Sequence, residues 1–147
     1  MLVPLFAFAL VLGSSALACV GETETELVKR YGKQTKTGTS HLPGVTIQGF
    51  QFRGFQVVVG VVNGRSAFEM YSKKDQSKLN ATEVGALLSA NGRTQAWGEE
   101  PDASFAGKRW VLADGSVIAE WSKTETDLTV MTRAGADLMK SDVPAKK

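Results

Sequence analysis

From residue 50 to residue 71 apolar and polar side chains alternate around two turn signals, Arg53-Gly54 and Asn63-Gly64. Alternation puts successive side chains on opposite faces of a strand, and Asn-Gly supplies the positive φ that a tight type I′ hairpin turn demands. The pattern predicts a three-stranded antiparallel meander over 50–52, 55–62 and 65–71. With two-residue turns, Val61 faces Ser66, Val59 faces Phe68, Val57 faces Met70, Phe52 faces Phe55 and Phe50 faces Val57. In that register Phe50, Phe52, Phe55, Val57, Val59, Val61, Phe68 and Met70 share one apolar face. Gln51, Gln56, Arg65 and Glu69 fall on the other, open face, and Gln51, Gln56 and Glu69 are the candidate partner-docking residues.

Helical periodicity precedes each strand-rich stretch. Over 23–32, Thr23 and Glu26 form a capping box, Leu27, Val28 and Tyr31 make an apolar stripe, and Gly32 ends the helix. Over 79–92, Asn80 and Glu83 form a second box, Leu79 staples onto Val84, and Val84, Leu87 and Leu88 form the stripe before Asn91-Gly92. A hairpin follows, 109–113 and 116–121 around Asp114-Gly115, with Trp110, Leu112, Val117, Ala119 and Trp121 on one face and Arg109 opposite Glu120. Residues 128–132 read as a last strand, 97–107 as a loop-like insertion and 137–147 as a flexible tail.

The expected class is α+β: tandem helix-plus-three-strand units, 21–72 and 79–133, joined in one antiparallel sheet with both short helices on one side. The opening Gly21-Glu22-Thr23-Glu24-Thr25-Glu26-Leu27, running on to Tyr31-Gly32-Lys33, resembles the small outer-membrane assembly lipoproteins. Gln34 stands where those proteins carry Pro. The two-fold repetition of helix plus antiparallel strands looks like the β-lactamase inhibitor proteins of related fold. What the resemblance implies is architecture, with a binding role for one face of the sheet.

Charge adds a compartment. All 17 Lys and Arg and all 15 Asp and Glu of the 147 residues lie after Cys19. Residues 5–12 are an apolar run, and Ala16-Leu17-Ala18 fits the small-x-small pattern of signal peptidase, so 1–18 reads as a signal peptide and 19–136 as one exported domain. The alternative use of that segment is a retained membrane anchor. Cys19 is the only cysteine, which excludes an intramolecular disulfide, and its place directly after the cut makes it a candidate for lipidation.

The chemistry that the inventory allows is narrow. One histidine, His41, and one cysteine cannot assemble a His/Cys zinc cluster, and neither a Gly-x-Ser-x-Gly elbow nor a phosphate loop ending in Lys-Ser/Thr occurs. No cofactor or metal is expected. A net charge of +2 with scattered basic pairs is too small for nucleic-acid binding. Asn80-Ala81-Thr82 matches a glycosylation sequon, but Asn80 is already needed as the helix cap. The reading is a non-enzymatic envelope, periplasmic or secreted module that binds a protein or small ligand. The alternative is a small exported hydrolase using Glu99, Glu100 and Asp102 near Trp97.

Overall fold

Both capping boxes form. In the computed structural model, which describes residues 20–92 and 94–141, the Thr23 hydroxyl accepts from Glu26 N and the Thr23 N–H returns to Glu26 Oε2 at 2.8 Å. Asn80 and Glu83 exchange bonds of 2.9 and 2.8 Å in the same way. These caps start α1 (Glu24–Tyr31) and α2 (Ala81–Asn91). The expected signal segment and Cys19 lie outside the described residues, as do 142–147.

Each helix leads into four strands rather than three. After α1 come β1 (Lys36–Thr39), β2 (Thr46–Phe52), β3 (Phe55–Val62) and β4 (Arg65–Lys73); after α2 come β5 (Trp97–Glu99), β6 (Lys108–Leu112), β7 (Val117–Trp121) and β8 (Asp127–Thr132). They form one eight-stranded antiparallel sheet in the order β1-β2-β3-β4-β8-β7-β6-β5, so the last strand of each half meets its counterpart at the centre. The added strands are the two edges. Every residue of β1 is exposed, and a strand with no buried side has no apolar alternation to announce it.

The β3–β4 register departs from simple pairing. Val61 faces Ser66 as expected, but a bulge inserts Ala67, so that Gly60 faces Phe68, Val59 faces Glu69, Val58 faces Met70 and Val57 faces Tyr71. One extra residue sends every later β4 side chain to the opposite face. Phe68 and Met70 therefore leave the face of Val57 and Val59, and Glu69 and Tyr71 take their place. Glu69 is fully buried and is removed from the candidate partner face. Gly60 is what admits the bulge: a Cβ there would stand 2.1 Å from the Phe68 ring.

The main core lies between the sheet and α1 with α2. Leu27 and Tyr31, together with Val84, Leu87 and Leu88, pack on Phe50, Val57, Val59, Tyr71, Leu112, Val117, Ala119, Leu128 and Val130. Tyr31 meets Phe50 and Phe52 at ring-centroid distances of 5.4 and 5.2 Å. Val28, expected in the α1 stripe, is 46% exposed, because Leu27 and Tyr31, one turn apart, form the buried stripe and Val28 lies to its side.

The expected tail begins instead as a third helix, α3 (Arg133–Ser141), on the opposite face. Ala136, with the half-buried Leu138, joins Phe68, Ile118, Met131, Leu42 and Val45 in a second apolar cluster. The bulge seats this helix. Thr132 Oγ1 accepts from Gly135 N at 3.0 Å and donates to Ala67 O at 3.3 Å, and a Cβ on Gly135 would lie 2.2 Å from that same carbonyl oxygen.

Candidate functional site

Cross-strand pairing arranges the α3 face of the sheet in three rows. One row, Gly60, Phe68, Met131 and Ile118, is the apolar cluster that α3 covers. The next runs Gly49, Val58, Met70, Thr129, Glu120 and Arg109. The last runs Gln51, Gln56, Ser72 and Asp127. Gln51 is exposed and Gln56, Val58 and Met70 are half-buried. Val58 and Met70 join neither apolar cluster. The structure thus keeps Gln51 and Gln56 together as a directly opposed pair, and replaces Glu69 beside them with an apolar patch.

The same pair opens onto a groove at the β2–β3 turn. A hollow of about 260 Å³ bounded by Gln51, Gln56, Phe55 and Lys74 continues into an open cleft of about 580 Å³ bounded by Arg53, Phe55, Lys73, Lys74, Asp75 and Glu83. Lys73 Nζ pairs with Glu83 at 3.0 Å. Glu83 is held below the usual carboxylate range by the Asn80 N–H and then by Lys73, and Asp75 by the hydroxyl and N–H of Ser77. The Arg53 guanidinium lies 5.0 Å from the centre of the Phe52 ring. In the sequence Arg53 marks a turn and nothing more, and the signal it carries is that a type I′ turn favours Asn or Gly there rather than Arg.

Glu69 has a different surrounding. Its Oε2 accepts from the hydroxyl of Tyr31 on α1 and from that of Tyr71 at 2.9 Å; the two hydroxyls are 2.8 Å apart, and Asn91 Nδ2 at the end of α2 donates to Tyr71 at 3.3 Å. Burial first, and the Glu69 carboxylate second, push both phenols well above their ordinary ionisation range. Glu69 Oε1 and Asn91 Oδ1 are buried without a hydrogen-bond partner among the described residues. This polar centre ties both helices to β4, and no ligand reaches it without opening the core.

The 97–107 segment divides its carboxylates. Trp97–Glu99 is strand β5, not loop, and Glu99 and Glu100 edge an open cleft of about 540 Å³ with Arg133, whose Nε donates to Gly115 O at 2.7 Å. Asp102 turns away to the α3 face. Ser104 N–H and hydroxyl bond it at 2.9 and 2.6 Å, it pairs with the buried Arg109, and these contacts hold it below the carboxylate range. Glu120, 3.9 Å from Arg109 on the other side, is raised by burial. The three loop carboxylates therefore do not converge. His41 is exposed in the β1–β2 connection. Among the described residues no group of three His, Cys, Asp or Glu stands close enough to hold a metal, and no helix is long and apolar enough to cross a membrane.

No protein-family model matches the chain, and no curated protein matches it. Among solved structures it is similar to an extracellular protein containing a SCP domain from Bacillus anthracis str. Ames, with a TM-score of 0.50 and 10% identity over 82% of this chain and 46% of that one. It also matches a cysteine-rich secretory protein from Staphylococcus aureus subsp. aureus Mu50, with a TM-score of 0.44 and 11% identity over 78% and 45% of the two chains. The chain spans less than half the length of either. At such identity the likeness to the first shows fold.

Proposed function

We propose that the chain is an exported, non-enzymatic binding module, periplasmic, envelope-associated or secreted, that holds a partner protein on the uncovered part of the α3 face of its sheet. The observation that carries this reading is the patch of Val58 and Met70, half-buried, outside both core clusters and bordered by Gln51, Gln56 and Ser72. An apolar centre within a polar border is the anatomy of a protein interface. Export rests on the 5–12 apolar run and Ala16-Leu17-Ala18. A cut after Ala18 removes none of the residues whose contacts are described above, the first of which is Val20, 2% exposed. Membrane attachment, in this reading, is through a lipidated Cys19. The extracellular description of the Bacillus anthracis neighbour agrees with export. A hydrolase at 97–107 has less support, because Asp102 is spent on Arg109 and Ser104.

Affinity capture from the native envelope and extracellular fractions tests the proposal, with wild type, Val58→Thr and Val58→Glu as baits and mass spectrometry as the readout. The same partners are expected on the first two and none on Val58→Glu, and a thermal melt of Val58→Glu that stays cooperative separates lost binding from lost fold. Partners retained equally by Val58→Glu would defeat the reading. Intact mass of the native protein also reports the residue at its start and any acyl group on Cys19.

A further inference from the structure

We infer that the groove at the Arg53-Gly54 turn is a site for an acidic polypeptide segment, one carboxylate of which sits between the Arg53 guanidinium and the Lys74 ammonium. The inference rests on the binding reading above and extends it from the sheet face to the turn.

The carboxylates on the groove rim are already engaged, Glu83 by Lys73 and the Asn80 N–H, Asp75 by Ser77. Arg53 and Lys74 have no ion-pair partner among the described residues, although both border the groove. Arg53, Lys73 and Lys74 outnumber Asp75 and Glu83 in the lining, so a positive excess remains beside Arg53 and Lys74 and attracts an anion, and a guanidinium binds carboxylate in a two-point geometry that fixes its orientation.

Arg53 holds φ at +48°, the left-handed region. Asn63 occupies the matching position of the neighbouring turn at +51°, and asparagine adopts that conformation more readily than arginine. The turn alone would be better made with Asn. Gln76, Thr94 and Glu125 share this backbone region, and what sets Arg53 apart is that its guanidinium is held over the Phe52 ring at the groove rim.

The cleft is open along its length, so a small molecule would stay largely in water, whereas small-ligand sites bury most of their ligand. An extended segment fits better: its carboxylate lies on Arg53 and Lys74, an adjacent apolar side chain lies on Phe55, and its backbone meets the Gln51 and Gln56 amides in the adjoining hollow.

The test is an amide-resolved NMR titration of chain 19–147 with the blocked peptide Glu-Phe-Glu-Leu-Glu, its Gln-Phe-Gln-Leu-Gln counterpart, and inorganic phosphate. Saturable shifts at Arg53, Gly54, Phe55 and Lys74 are expected with the acidic peptide, and affinity about tenfold weaker with the glutamine peptide and with Arg53→Asn. Arg53→Asn should melt no lower than wild type, which separates lost binding from lost fold. Equal affinity for both peptides, unchanged affinity of Arg53→Asn, or shifts elsewhere would overturn the site. Phosphate binding as tightly as the acidic peptide would reassign it to small anions and overturn the polypeptide. Capture that survives Arg53→Asn but not Val58→Glu would remove this site and leave the sheet-face reading standing.

Discussion

Above about pH 10 the fold is expected to lose stability at about 2.7 kcal/mol per pH unit, twice the slope of one tyrosine. The cause is Tyr31 and Tyr71, whose phenols are buried and share Oε2 of Glu69. Burial and that carboxylate raise both above the ordinary value. The unfolded chain therefore gives up two protons that the fold retains, unfolding releases protons, and rising pH favours it. The stability that the pair contributes is complete below the unfolded value and is lost as pH climbs through the folded ones. Tyr71→Phe should halve the slope, to about 1.4 kcal/mol per unit. It should also cost roughly 1.5–3 kcal/mol at neutral pH, because the carboxylate loses a donor. Tyr31→Phe with Tyr71→Phe removes both donors and should cost roughly 3–5 kcal/mol, as for a buried charge left without partners. Urea melts over a series of alkaline pH values check both parts. A slope unchanged by either substitution would contradict the assignment.

Phe68→Ala should destabilise by roughly 3–5 kcal/mol, through loss of α3-face packing rather than of the main core. The ring closes over Gly60 and meets the cluster of Ile118, Met131 and Ala136. Gly60→Ala drives a methyl to 2.1 Å from that ring and should cost roughly 1–3 kcal/mol. The two should not add, because removing the ring frees the space that the methyl needs. Denaturant melts of the double variant decide it: a loss equal to the sum of the single losses, within about 0.5 kcal/mol, would contradict the bulge register.

Local signals were legible and long-range ones were not. Caps act over three residues and tight turns over two, so Thr23-Glu26, Asn80-Glu83, Asn63-Gly64 and the hairpin pairing of Arg109 with Glu120 were readable from spacing. The class, α+β with one antiparallel sheet, followed from them. The bulge was not readable by alternation, because Ser66, Ala67 and Phe68 are buried in succession and break the period there. Gly60, a glycine inside an apolar strand, was the clue that a neighbour approaches closely. Glu69 falls outward in the unbulged register, and the bulge turns it inward. What buries it is a pair of tyrosines and an asparagine brought in from α1, β4 and α2, a tertiary fact that no window along the chain contains. The Gln51-Gln56 pair survived because it lies before the bulge, within the hairpin whose turn was correctly set. The groove beside it needed the Lys73–Asp75 corner to be brought against the turn, which only the β3–β4 pairing does.

Amide hydrogen exchange of the chain bound to its captured partner, compared with the free chain, locates the binding surface most directly. Slowed exchange is predicted over 51–58 and 70–75, the strands and turn that carry Gln51, Gln56, Val58, Met70, Arg53 and Lys74. Slowing confined to α1, α2 or the β1 edge, with 51–58 unchanged, would contradict a binding role for this face.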